Sequence, residues 1–229
     1  MNMKDILNFL SELKANNCRE WFNDNKERYN AVKKSVESLT ENLLAMISGF
    51  DSEASGLRVA DCTYRIYRDT RFSSDKTPFK THIGIFINPP KGKKSFRSGY
   101  YLHIEPGNCL FAAGNIGLPS GMLKAVRQSI YDEIEEYRSI VESEDFKKTF
   151  PSIGENMLKT APKGFPKDWE FIDYLKPKDF CCSCPISDKT MLSPKLLKTL
   201  EPIYRRAKRY NDFINYAIDD FEENMNAKA

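Results

Sequence analysis

The sequence has no long hydrophobic run, and its uninterrupted apolar stretches cover only a few residues, as in Ile85-Phe86-Ile87. A membrane-spanning helix needs about 20 apolar residues, so the sequence predicts no such helix. The N-terminal residues turn polar before the apolar core of a signal peptide can form, which favours a cytoplasmic protein. Repeats and low-complexity tracts are also missing. Glycine-rich phosphate-binding loops are missing too, so neither of the two common nucleotide-binding motifs is present in the sequence.

Glycine is scarce, with 11 residues among 229, and the chain is 41% apolar and 29% charged. This composition is typical of a globular protein and excludes a fibrous or disordered one. The length suits one large domain or two small ones. We expect a single domain over residues 1–229.

Six cysteines are present: Cys18, Cys62, Cys109, Cys181, Cys182 and Cys184. In a cytoplasmic protein they are expected to be mostly thiols. Cys181 and Cys184 have the spacing of half a zinc site, but no second Cys or His pair follows at ligand spacing. We therefore predict no metal site and interpret these cysteines as small apolar residues on a strand.

Hydrophobic periodicity predicts helices at both ends of the chain. Residues 4–15 form one apolar helical face, a long amphipathic helix follows at about 26–50, and helical spacing returns from Leu196 to Phe221. Capping-box spacings at Asn17–Glu20 and Asp24–Glu27 predict how the second and third helices begin. Pro202 is expected to kink or split the C-terminal helix.

Four strands are predicted between these helices, at residues 81–88, 99–105, 108–115 and 179–186. The first two alternate apolar and polar residues and are joined by a loop too short for a crossover helix, so they form an antiparallel hairpin. The predicted fold class is α+β, with a mainly antiparallel sheet packed against a long N-terminal helix and C-terminal helices. The polar face of the hairpin carries four side chains of chemical interest: His82, Tyr101, His103 and Glu105.

The stretch Tyr64–Lys80 concentrates positive charge. Its basic residues are Arg65, Arg68, Arg71, Lys76 and Lys80, and its acidic residues are Asp69 and Asp75, so its formal charge is 5 − 2 = +3. The whole chain has 35 basic and 32 acidic residues, also +3, so the charges elsewhere cancel. Arginine forks suit carboxylate and phosphate oxygens, which predicts anion recognition on a loop. An internal ion-pair network that only fixes the loop is the alternative.

Several stretches together resemble a family of uncharacterised bacterial proteins, with fungal relatives, known only as a domain of unknown function. The resemblance runs through Asn16-Asn17 with Trp21-Phe22, the motif from Arg65 to Lys80, the run Gly99–Gly107 and Ala161–Phe165. Phe79 stands where the family usually has Tyr, and family members generally lack the Cys-Cys-Ser-Cys cluster. The resemblance implies a single α+β domain and no particular activity.

Three functions are therefore compared. The first is a pocket for a phosphorylated or carboxylated small molecule or a nucleotide, with these ligand-binding residues: Arg65, Arg68, Asp69, Arg71, Asp75, Lys76, Lys80 and Tyr101. The second is an enzyme that uses His82, His103 and Glu105 for acid–base chemistry. The third is an interaction module in which the motif is structural. A nucleic-acid partner is disfavoured, and the cofactor and the oligomeric state stay open.

Overall fold

The computed structural model describes residues 2–227. The helices are α1 Met3–Ala15, α2 Arg19–Asp24, α3 Lys26–Ser48, α4 Val59–Cys62, α5 Ser120–Asp132, α6 Ile134–Val141, α7 Glu144–Thr149, α8 Asp188–Met191 and α9 Leu196–Asn226. The strands are β1 Ile83–Ile87, β2 Gly99–Ile104, β3 Leu110–Gly114 and β4 Cys181–Pro185. No helix within the described range is long and apolar enough to cross a membrane.

The four strands form one antiparallel sheet in the order β1-β2-β3-β4, which confirms the predicted α+β class. The alternation that predicted β2 is visible in its burial, since Tyr100, Leu102 and Ile104 are buried while Tyr101 and His103 are only half-buried. Successive side chains of a strand point to opposite faces. The half-buried residues of β2 therefore share the face that carries the candidate site.

The contacts of the chain fall into two compact units, each built from separate stretches of sequence. The first unit comprises Met1–Lys93, Tyr101–Phe111 and Pro185–Glu201. The second comprises Lys94–Tyr100, Ala112–Cys184 and Pro202–Ala229. The basic stretch and the side chains His82, Tyr101, His103 and Glu105 all belong to the first unit.

The first unit contains a core between α1 and α3, which contact each other directly. The core residues on α1 include Ile6, Leu10 and Leu13, and Leu39 and Leu43 on α3 are also fully buried. Their spacings of three and four place each set on one face of its helix. Burial of this size contributes about 1.5–3 kcal/mol for each large aliphatic side chain.

The predicted capping boxes are wrong. The N-cap of α2 is Cys18 and that of α3 is Asn25, and neither makes a side-chain capping bond. The amide of Asn17 instead pairs with the backbone of Phe79, donating to its carbonyl at 2.9 Å and accepting from its N–H at 3.1 Å. A contact between residues 62 positions apart replaces the local bond that the spacing predicted.

In the second unit, two asparagines of α9 bind backbone groups of the sheet. Asn211 accepts a bond from the Gly114 N–H at 3.0 Å and donates to the Gly99 carbonyl at 3.1 Å. Asn215 accepts from the Ser98 N–H at 2.6 Å. The helix runs without interruption through Pro202, so this proline does not split it. Gly114 has a φ of +101°, and a Cβ there would lie 2.0 Å from the Phe180 carbonyl oxygen.

Candidate functional site

Residues 64–80 fold into an irregular hairpin, called here the basic hairpin. Its two arms are joined by a bridge between Tyr67 and Phe79 and by a bond of 2.8 Å from the Lys80 N–H to the Ile66 carbonyl. The ring of Phe79 stacks on Phe22 of α2 with centroids 4.0 Å apart. Together with the amide of Asn17, this stacking fixes the end of the hairpin to the N-terminal helices.

The tip of the basic hairpin, residues 68–77, is closed by its own charges. Arg68 forms an ion pair with Asp75 and donates to the Thr77 hydroxyl. Arg71 pairs with Asp69 at 2.7 Å, and Lys76 donates to the Thr70 carbonyl at 3.0 Å. All these bonds stay within the hairpin. Phe72 at the tip is 95% exposed.

Asp75 is the centre of this tip network. It accepts bonds from the backbone N–H of Thr77 at 2.9 Å and from the Thr77 hydroxyl at 2.8 Å, in addition to its ion pair with Arg68. The backbone bond lowers its pKa most, followed by the bond from Arg68, and the pKa falls to about 2. Asp75 is therefore ionised throughout the physiological range and keeps Arg68 engaged.

Arg65 and Lys80, on the two arms of the hairpin, behave differently from the tip residues. Within residues 2–227, neither side chain has a hydrogen-bond or ion-pair partner. The Lys80 ammonium lies 5.4 Å from the ring centroid of Tyr64, which also has the Lys93 ammonium at 5.5 Å. Burial, and then the nearby charge of Arg65, lowers the pKa of Lys80. These two residues form a cationic pair without a direct ion-pair partner. The pKa of Asp69, lowered first by its bonds with Arg71, is also lowered by the charge of Arg65.

Both cations line a cleft of about 900 Å³ in the first unit. Helix α3 contributes Tyr29, Val36 and Glu41 among others to its lining, and the basic hairpin contributes Arg65 and Lys80. The remaining lining residues of chemical interest are Tyr64, Tyr67, His82, Gly84 and Tyr101. None of the tip residues 68–77 lines it. The structure thus brings together four of the predicted site residues: Arg65, Lys80, His82 and Tyr101.

A row of hydrogen bonds on β2 leads from this cleft to a carboxylate. The Tyr101 hydroxyl lies 3.0 Å from His103 Nδ1, and His103 Nε2 lies 3.3 Å from Glu105 Oε2. Tyr101 and His103 alternate along β2, and Glu105 directly follows the strand at the same spacing, so the three share one face. The ring of His82, which directly precedes β1, lies against His103, with centroids 4.5 Å apart.

Glu105 is held in its charged form. Burial raises its pKa, but the bond from Asn108 at 2.9 Å, the bond from His103 and the charge of Lys14 at 3.5 Å together lower it below its usual range. An ionised carboxylate accepts only, so His103 Nε2 donates to Glu105, and in the neutral imidazole Nδ1 then accepts. The Tyr101 hydroxyl is therefore the donor to His103.

The other two groups of this face are kept neutral by their surroundings. Burial, then the neighbouring His103 and Lys80, lowers the pKa of His82, although Glu105 opposes the shift. Burial, with a smaller contribution from Tyr64, raises the pKa of Tyr101 to about 12. At neutral pH the face carries a neutral phenol and a neutral imidazole beside the two cations of the cleft.

The cysteine cluster lies on β4, as predicted. Burial raises the pKa of Cys181 to about 11 and that of Cys182 well above its usual value, so their thiolates are disfavoured. Cys181 and Cys184 are three positions apart on a strand and point to opposite faces. Among the described residues, no group of three or more His, Cys, Asp or Glu side chains could hold a metal ion.

Contributors to the site that sequence reasoning missed include Tyr64, Tyr67 and the α3 residues Tyr29 and Glu41. The α3 side chains were interpreted only as core or solvated positions, and nothing local to them indicates a cleft. Tyr64 is adjacent to Arg65 and is the one that a closer look at the basic stretch could have included. Asn17 was found as a motif residue but given the wrong role.

The family model for a conserved hypothetical protein family, DUF2461, matches residues 5–213 of the chain. No curated protein and no solved structure matches the chain.

Proposed function

Since the chain belongs to the DUF2461 family of conserved hypothetical proteins, whose description states no activity, we propose a function from its residues: it binds a phosphorylated or carboxylated small molecule in the cleft between α3 and the basic hairpin. Arg65 and Lys80 are the anion ligands. The observation that carries this proposal is that these two cations line the cleft and that neither side chain forms a hydrogen bond or an ion pair among the described residues.

Electrostatics supports an anion at this position. Two like charges that are near each other and partly removed from water repel, and the lowered pKa of Lys80 reports that cost. An anion placed between the guanidinium and the ammonium removes the repulsion and accepts charge-assisted hydrogen bonds from both. The basic hairpin thus contributes two ligands from its arms, while its tip stabilises the loop that holds them.

The cleft also has features that select among anions. Tyr64, Tyr67 and Tyr101 line it with aromatic rings, and Glu41 on α3 supplies a further acceptor. A ligand with a phosphate or carboxylate at one end, a flat or apolar middle and a hydroxyl or amine at the other fits this distribution. A nucleotide or an aromatic acid has these properties, whereas a bare inorganic ion uses only the cationic end.

A thermal-shift screen tests the proposal with nucleotides, sugar phosphates, inorganic phosphate and dicarboxylates. A ligand present at 100 times its Kd stabilises by about 2.7 kcal/mol. For a chain of this length that raises Tm by about 5–11 °C. The shift should decrease with added salt, since salt screens the charges of this open cleft.

Paired variants separate the two groups of basic residues. Arg65→Gln and Arg71→Gln remove the same charge from the same hairpin, but only Arg65 lines the cleft. Lys80→Gln and Lys76→Gln form a second pair of the same kind. We expect the arm variants to abolish the anion-induced shift and the tip variants to keep it. The proposal is wrong if no anion stabilises the wild type, or if both members of each pair lose the shift equally.

A further inference from the structure

We propose that Tyr101, His103 and Glu105 form a proton relay that opens into the cleft, with Tyr101 as the group that removes a proton from a hydroxyl of the bound ligand. The observation behind it is the continuous row of bonds from the Tyr101 hydroxyl to His103 Nδ1 at 3.0 Å and from His103 Nε2 to Glu105 at 3.3 Å. Only Tyr101 of these three lines the cleft. That the substrate is anionic rests on the function proposed above.

The direction of transfer follows from the charge of Glu105. Because the carboxylate accepts from Nε2, the free lone pair of Nδ1 accepts from the Tyr101 hydroxyl, and the lone pairs of the phenolic oxygen are available to a ligand. A ligand hydroxyl gives its proton to the Tyr101 oxygen while Tyr101 gives its own proton to Nδ1. The O–H bond of the ligand breaks, an N–H bond forms on His103, and the phenol ends neutral.

The surroundings stabilise each charge that this step creates. The new imidazolium lies beside Glu105, which is itself held by Asn108 at 2.9 Å. The new alkoxide lies in the cleft that Arg65 and Lys80 line, where positive charge lowers its energy. No oxidant, reductant or metal is required, because only protons move.

Tyr101 is held in place for this role. Its ring packs over Gly84, where an added Cβ would lie 2.7 Å from the hydroxyl oxygen and 2.8 Å from a ring carbon. Only a residue without a side chain leaves room at position 84 for the ring in this pose. Phe86 contacts the same ring, with centroids 6.3 Å apart.

Arylsulfonyl fluorides test the relay without a known substrate. The phenolic oxygen attacks sulfur, an S–O bond forms, the S–F bond breaks, fluoride leaves and the phenol proton passes to His103. We use neutral benzenesulfonyl fluoride and its anionic 4-carboxylate, with labelled sites identified by peptide mass spectrometry. Tyr64 and Tyr67 are matched controls, because they line the same cleft and are more exposed, at 45% and 49%.

Exposure and pKa alone predict that Tyr101 is the slowest of the three to react, since burial raises its pKa to about 12. The relay predicts that it is the fastest. We expect His103→Gln to reduce labelling of Tyr101 by about 100-fold, the usual contribution of a general base, and to leave Tyr64 unchanged. Faster labelling of Tyr64 or Tyr67, or a rate at Tyr101 that His103→Gln does not change, overturns the relay.

Glu105→Gln tests the role of the carboxylate. The imidazolium that forms on His103 then lacks its carboxylate partner, so the profile of the Tyr101 labelling rate against pH should change. Ionisable groups near this face that are unchanged in the variant include Tyr101, His82, Lys14, Lys80, Tyr64, Cys109 and Asp188. Glu41→Gln, with the same charge change on α3, should leave the profile where it is. A profile that moves equally in both variants contradicts the relay.

The tautomer of His103 can be measured on the wild-type protein, so this test does not depend on a variant that folds. Nitrogen-15 NMR of the His103 ring should show a proton on Nε2 and none on Nδ1, and the opposite tautomer overturns the relay.

The neutral and the anionic sulfonyl fluoride together separate this inference from the function proposed above. If both label Tyr101 equally and phosphate does not compete, the relay stands and the anion site is wrong. If phosphate binds but Tyr101 is not favoured, the anion site stands and the relay is wrong.

Discussion

The amide of Asn17 provides a sharp test of how the basic hairpin is fixed. Its two bonds to the backbone of Phe79 are partly buried, at 2.9 and 3.1 Å. Asn17→Ala removes both and leaves the N–H and carbonyl of Phe79 without these partners. A net contribution of about 0.5–1.5 kcal/mol for each bond gives a loss of about 1–3 kcal/mol in the free energy of unfolding. For a protein of this size, Tm should fall by about 2–12 °C.

Asn16→Ala is the matched control. Asn16 is the neighbouring residue and has the same side chain, but its amide donates only to the Glu12 carbonyl at an exposed position. Differential scanning calorimetry of both variants should show a clear loss for Asn17→Ala and little change for Asn16→Ala. Because Lys80 directly follows Phe79, Asn17→Ala should also weaken anion binding. Equal Tm values for the two variants would refute the idea that this amide fixes the hairpin.

Three further predictions concern the same face and the cysteines. Gly84→Ala should displace the Tyr101 ring and slow its labelling by arylsulfonyl fluorides. Tm should change little, because the atoms that the new methyl group meets belong to a side chain; unchanged labelling would contradict the packing of this ring over Gly84. Because the pKa of His82 is lowered in the folded protein, the unfolded chain binds a proton at this imidazole more readily. The free energy of unfolding should therefore fall as pH drops below 6.5. Chemical denaturation of His82→Gln should show a weaker fall. A chelator should leave Tm unchanged, and zinc analysis should find well under one equivalent; stoichiometric zinc would reverse the interpretation of Cys181 and Cys184.

Local patterns predicted the sheet because the period of two in β1 and β2 does not depend on distant partners. The same alternation placed His82 and His103 together on the polar face of the hairpin. The continuity of α9 through Pro202 could not be predicted from local propensity, since buried residues on both sides of the proline, such as Leu200 and Tyr204, keep the helix in place.

The division of the basic residues was beyond sequence reasoning. Composition shows an excess of three positive charges but not which cations are paired. Arg68 reaches Asp75, seven positions away, only because the tip closes on itself. Arg65 and Lys80 are fifteen positions apart and come together only through the bridge between the two arms. Helix α3 also lines the cleft, with residues that the sequence shows only as part of the apolar stripe, such as Val36, or as solvated charges, such as Glu41.

The pKa of Lys80 is the most direct test of whether an anion binds beside Arg65 and Lys80. Side-chain NMR of protein with labelled lysines follows Lys80 through a pH titration, with Lys80→Arg to assign its signal and Lys76 as the internal reference. Without ligand, the pKa of Lys80 should lie below 10.5, because of burial and Arg65. Adding the anion that gives the largest thermal shift should raise the pKa of Lys80, whereas the chemical shift of Lys76 should stay in place. An anion that binds but leaves the pKa of Lys80 unchanged would show that Lys80 is not an anion ligand.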